Sequence, residues 1–140
     1  MHPSQTNTKS GVFVDKAAEN LTDKEGRIVT LSASGVSLNA SGSVVQPYLL
    51  VDGGVSGDSV AVQPLSPDQP VRIPLVGTCV KGDTLVVADP ATTANKGAVR
   101  VLPAAAGTYG IVGLAEEAGV DGQTVLVRPH LTGVKTTVAA

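Results

Sequence analysis

Aromatic rings are nearly missing from this 140-residue chain: Phe13, Tyr48 and Tyr109 are the whole set, and there is no tryptophan. Lysine and arginine are few and never cluster, and the formal net charge is -2. A nucleic-acid binder needs a basic footprint and usually stacking rings, so that class is excluded. Charged residues make up only 16% against 42% hydrophobic, which is too apolar for a disordered chain. A single cysteine, Cys79, cannot form an internal disulfide. No apolar run is long enough to span a membrane, and the opening MHPSQTNTKSG is polar where a signal peptide carries its apolar core. These absences point to synthesis in a reducing cytosol. No sustained helical repeat of Leu, Ala, Glu and Lys exists, which excludes coiled coils and helix bundles.

What the chain does have is β-branched residues and turn formers. It holds 23 valines, 13 threonines and 3 isoleucines, with 16 glycines and 9 prolines. That mixture predicts an all-β fold, a small β-barrel or sandwich of short strands. Candidate strands are Val12–Val14, Arg27–Leu31, Val36–Leu38, Tyr48–Val51, Ser59–Gln63, Val71–Val76, Thr84–Val87, Val99–Leu102, Tyr109–Leu114 and Thr124–Arg128. Between them lie turn signals such as Asp52-Gly53-Gly54, Gly57-Asp58, Gly82-Asp83 and Asp121-Gly122, whose residues tolerate the positive φ of a tight reversal. One short helix is predicted over Lys16–Lys24, ended by Gly26. Residues 1–10 are small and polar, without an apolar anchor, and read as a flexible N-terminal arm.

A weak internal repeat links Gly57-Asp58-Ser59-Val60-Ala61-Val62, Gly82-Asp83-Thr84-Leu85-Val86-Val87 and Asp121-Gly122-Gln123-Thr124-Val125-Leu126-Val127. Each is an acidic-glycine turn, a hydroxyl or amide residue, then an apolar strand. Apolar strands ending in glycine precede the second and third, at Leu75-Val76-Gly77 and Ile111-Val112-Gly113, so two strand–loop–strand units are expected.

The chemistry-bearing residues are sparse. His2, His130 and Cys79 have neither the number nor the close pairing that a zinc site requires. Cys79, between Thr78 and Val80, reads as strand-end packing and not as a nucleophile served by His130. Glu116 and Glu117 are the only adjacent acidic pair, and neighbours on an extended chain point to opposite faces. No phosphate-binding glycine loop follows a strand. The trimeric dUTP pyrophosphatases have chains of this size, but their Arg-Ser-Ser segment and ring-bearing glycine-rich tail are missing. The expectation is a non-enzymatic protein without metal or cofactor.

Turn and strand wording supply a resemblance. Val12-Phe13-Val14-Asp15-Lys16-Ala17-Ala18-Glu19-Asn20-Leu21 leads to Lys24-Glu25-Gly26-Arg27-Ile28-Val29, then Leu49-Leu50-Val51-Asp52-Gly53-Gly54. Near the end, Gly110-Ile111-Val112-Gly113-Leu114-Ala115-Glu116-Glu117-Ala118-Gly119 precedes Gln123-Thr124-Val125-Leu126-Val127-Arg128-Pro129. Across residues 11–131 this resembles the capsid decoration (cement) proteins of tailed phages, although Leu114-Ala115 reverses the family's order of Ala and Leu. The resemblance implies a structural virion protein on the outer capsid surface, assembled in the host cytoplasm. It implies a β-rich decoration domain over 11–131, flanked by the arm and a C-terminal tail at 132–140. Its partner would be the major capsid protein, bound as a homotrimer at three-fold or quasi-three-fold positions, with no nucleic acid or membrane involved. The arm then becomes the candidate capsid contact through Ser4, Gln5, Thr6, Asn7, Thr8 and Lys9, whose backbone could add to an exposed sheet edge. A tail or fibre module and a small ligand-binding barrel are the alternatives. The latter is disfavoured by the shortage of rings for a cavity wall.

Overall fold

The computed structural model describes residues 11–130 and 135–139. The fold is all-β, with two antiparallel sheets. The first contains β1 (Phe13–Lys16), β2 (Ile28–Ser32), β3 (Gly35–Leu38), β4 (Tyr48–Asp52) and β5 (Ser59–Pro64) in the order β1-β5-β4-β2-β3. The second contains β6 (Val71–Pro74), β7 (Thr84–Val87), β8 (Val99–Val101), β9 (Gly107–Ala115) and β10 (Thr124–Pro129) in the order β6-β10-β9-β7-β8. A last strand, β11 (Lys135–Val138), pairs with the first half of β9.

The two orders are one order written twice. Each strand of the first sheet has its counterpart five strands later, and the loops agree as well as the strands. Ala17 donates to Asp58 O and Leu75 to Gln123 O; Leu21 donates to Gly54 O and Cys79 to Gly119 O; Gly26 donates to Leu50 O and Gly82 to Ala115 O. The chain is therefore two copies of a five-stranded unit. The sequence trace is Gly54-Val55-Ser56-Gly57-Asp58-Ser59-Val60-Ala61-Val62-Gln63-Pro64 against Gly119-Val120-Asp121-Gly122-Gln123-Thr124-Val125-Leu126-Val127-Arg128-Pro129. This corrects the expected three-fold repeat. The first and third segments are equivalent, being β5 and β10, whereas Gly82–Val87 leads into β7 and corresponds to the start of β2.

Neither sheet closes into a barrel. In each, the first strand returns to the third through one parallel bridge, Ala17 to Val36 in the first unit and Leu75 to Val99 in the second. Alternation puts Val60 and Val62 inward with Val29, Val36 and Leu50, and Val125 and Val127 inward with Leu85, Val99 and Ala115. Burying a side chain of this size contributes about 1.5–3 kcal/mol. Ile28 and Leu49 point the other way on the first sheet and join the second unit's core. The seam is tightened by Ile28 N–H to Gly97 O at 2.9 Å and by Arg27 Nη1, which donates to Ala94 O at 2.9 Å and Lys96 O at 2.8 Å. Those carbonyls lie in the long β7–β8 connection, which carries a single 3₁₀ turn at Thr93–Asn95.

Two local expectations fail. Lys16–Lys24 is not a helix: Ala17 donates to Asp58 O, just before β5, and Ala18 to Val36 O on β3, so their N–H groups are committed to other segments. Lys135–Val138 lies inside the stretch assigned to a tail, yet it forms β11. It extends along β9 the antiparallel pairing that β10 begins. Low apolar content hid it, because a strand of Lys, Thr, Thr and Val needs a partner more than a core.

Gly35 sits where β1 meets β3, with φ +118, and a Cβ there would lie 2.2 Å from Lys16 O. Gly35→Ala combines left-handed strain with a backbone collision and should destabilise by about 3 kcal/mol or more. Gly57→Ala, at φ +90 in open space, should cost only about 1–2 kcal/mol. Urea denaturation of the two variants checks this, and equal losses would refute the packing role of Gly35.

Candidate functional site

An apolar groove of about 520 Å³ opens beside Gly11. Its walls are Val12 and Phe13 at the start of β1, Pro47 and Tyr48 at the start of β4, and Pro64 and Leu65 at the end of β5. The sheet order β1-β5-β4 brings these three strand ends together. Phe13 and Tyr48 meet edge to face, with ring centroids 5.7 Å apart at 86°, a favoured arrangement for an aromatic pair. Two of the chain's three rings are thus spent on one site, which offers proline and aromatic surface to an apolar or proline-bearing segment.

A second groove of about 290 Å³ is polar, lined by Thr30, Ser37, Asn39, Ser41 and Gln46 among others. Its amides serve the protein's own backbone. Asn39 Nδ2 donates to Ser41 O at 2.7 Å, and Gln46 Oε1 accepts from Leu31 N–H at 2.9 Å. It is a structural feature of the β3–β4 connection.

The adjacent carboxylates engage two different arginines. Glu117 accepts from Arg72 Nη1 at 2.7 Å and from Leu126 N–H at 3.1 Å, while Glu116 pairs with Arg128 Nη2 at 3.1 Å. The Arg72 hydrogen bond, then that of Leu126, holds the Glu117 carboxyl below its ordinary range. A carboxylate so held is a poor proton donor near neutral pH. The expectation that the two glutamates point to opposite faces fails. Arg72 stands opposite Leu126 and Arg128 lies two residues along β10 on the same face, so both carboxylates are held on that face. The arginines become neighbours only through pairing of β6, β10 and β9.

Cys79 is buried, and its thiol donates to Glu117 O at 3.7 Å. Burial is the main cause that pushes its pKa up, with the charges of Asp83 and Glu117 adding to it; a raised thiol is a weak nucleophile. Cys79 bridges to Gly119, before β10 begins, whereas His130 follows its end. Six strand residues, roughly 20 Å, separate those ends. The two side chains are therefore not brought together. Among the described residues, no three His, Cys, Asp or Glu side chains converge on a metal position. His2 and the arm residues Ser4, Gln5, Thr6, Asn7, Thr8 and Lys9 lie outside the described residues.

Neither a family model nor a curated protein matches the chain.

Two outcomes follow from this geometry. Cys79→Ala should leave the fold intact and lower stability by about 1–2 kcal/mol, as read by urea denaturation. For Glu117, the lowered folded-state pKa means that the unfolded chain takes up the proton first as pH falls. Its stabilisation is complete above about pH 4.3 and is lost as pH drops through the lowered value. Thermal melts between neutral and acid pH should therefore show a flatter acid limb for Glu117→Gln than for wild type. Parallel limbs would show that the carboxylate is not coupled to folding.

Proposed function

We propose that this protein decorates the outer surface of an icosahedral phage head and ties neighbouring major capsid subunits together. The observation that carries the reading is the groove at Gly11. Exposed apolar surface there directly follows, in the sequence, the polar ten-residue segment proposed as the arm, and such surface is suited to gripping another protein. Val12 is 53% exposed and Val14 67% exposed next to that root. The strand and turn wording shared with decoration proteins supports the same reading, as does an all-β body of two antiparallel sheets.

On the shell the proposed arrangement is a homotrimer at local three-fold positions, contacting the capsid through the arm, Ser4 to Lys9. Ordering that segment costs about 1–2 kcal/mol of backbone entropy per residue, so it gains structure only where the shell supplies hydrogen-bond partners. The duplicated unit favours one second reading, a module of a virion tail or fibre, since such appendages are built from repeated β units.

Deleting residues 2–10 should leave the melting curve of the β body unchanged and lower its occupancy on purified capsids at matched concentration. Imaging particles with full-length and truncated protein provides the comparison. Equal occupancy would move the contact onto the β body, and density on tails instead of heads would favour the appendage reading.

A further inference from the structure

The duplication provides a comparison inside one molecule, because equivalent backbone positions carry two different outer surfaces. In the second unit, the outward row across β6, β10 and the end of β9 holds Arg72, Leu126, Glu116 and Glu117, with Arg128 one step along. Its charges are satisfied internally, by Arg72–Glu117 at 2.7 Å and Arg128–Glu116 at 3.1 Å. In the first unit the register sets Val14 beside Ala61, and Asp52 opposite Ala61 across a bulge at Val51. Val14 is 67% exposed and Val51 41% exposed. This apolar row is continuous, on the same sheet face, with Leu49 and Ile28, which are buried against the second unit. One copy of the unit has an ion-paired surface and the other an apolar one.

Two charges frame the apolar row. Lys16, opposite Ser59, is exposed on the β1 side of β5, and Asp52 is exposed on the β4 side. Neither forms an ion pair among the described residues.

We propose that this face binds the same face of a second copy, about a two-fold axis running along β5. Because β1 and β4 flank β5, such an axis keeps each residue's level along β5. It lays Val14, level with Ala61, on the second copy's Val51–Asp52 bulge. Lys16, level with Ser59, stands two residues along, about 7 Å, within a lysine's reach of the second copy's Asp52. Both contacts occur twice, with the two Ala61 side chains at the axis. An isologous contact requires a self-complementary patch. An apolar stripe with a cation on one flank and a carboxylate on the other meets that requirement without opposing like charges. The second unit's row is unsuited to this role, since its arginines and glutamates already satisfy one another. The contact does not depend on the capsid reading. On a shell, where adjacent local three-fold positions are related by local two-folds, it would join neighbouring assemblies.

Three strands offer less than the roughly 800 Å² per partner of a standard interface, so association is read by sedimentation equilibrium up to about 1 mM. Lys16→Asp and Asp52→Lys should each weaken it by about tenfold or more, and the double reversal should restore it. A wild-type protein that does not associate, or a double reversal as weak as the single ones, overturns the proposal. Val14→Cys with Val51→Cys gives an independent reading. The two positions are two strands apart, about 9.5 Å, beyond the roughly 7 Å over which one chain could bridge them. Oxidation should therefore yield covalent pairs of chains, while Arg72→Cys with Glu116→Cys, the same positions in the other unit, should yield none. Equal cross-linking of the two double variants would refute the assignment.

Discussion

The first strand of each five-stranded unit has to satisfy two edges, and the rest of the structure depends on how it does so. β1 and β6 each form a full antiparallel ladder with the fifth strand on one side. On the other side each returns to the third strand through a single parallel bridge. That return curls the sheet and encloses a small core. It also leaves the sheet short of a barrel. Gly35 is part of the same constraint, because only a residue without a side chain lets the β2–β3 turn approach Lys16 O so closely.

Duplication of that unit produces a molecule with separate inner cores and one shared seam. The seam exists because Ile28 and Leu49, on the outer face of the first sheet, are apolar and meet the second unit. Their counterparts Thr84 and Leu114 meet no such partner among the described residues, and Leu114 is 37% exposed. The second unit is also the more elaborated copy. Its β7–β8 connection is long enough to accept the Arg27 guanidinium, whereas the first unit turns between β2 and β3 through Ala33-Ser34 alone. Its β9 is lengthened and takes β11 as an additional partner. Each addition lies around the same backbone plan, so the two halves have diverged in surface while keeping their hydrogen bonds.

Surface divergence is where function enters. A protein that grips a partner needs apolar area that its own fold does not consume, and here such area is concentrated in the first unit. Phe13, Tyr48, Pro47 and Pro64 form a groove beside Gly11, and Val14 and Val51 extend apolar surface across the sheet face. The second unit covers the corresponding face with guanidinium–carboxylate pairs, which favours water over a partner.

All ten strands of the two units were legible from β-branched residues alternating with turn formers, to within about two residues at each end. Burial of Cys79 was legible too, as the usual state of a free thiol, but not its place, which is the β6–β7 connection bridged to Gly119 instead of a strand end. The eleventh strand was not legible, because Lys135-Thr136-Thr137-Val138 has a single apolar residue and pairs along the edge of β9. The duplication was visible only as an echo of turns. Its cores are filled by different residues at equivalent places, Leu21 and Cys79 or Leu50 and Ala115, so burial is preserved while identity is not. The groove and the ion pairs were hidden for another reason. Phe13 and Tyr48, or Arg72 and Glu117, are distant in the chain and meet only through the β1-β5-β4 and β6-β10-β9 pairings. By itself, the sequence determined the strand class and the turn positions, because those follow from local backbone preference. Tertiary structure alone decided which faces are apolar to solvent and which charges are spent, because sheet order sets what each outward side chain meets.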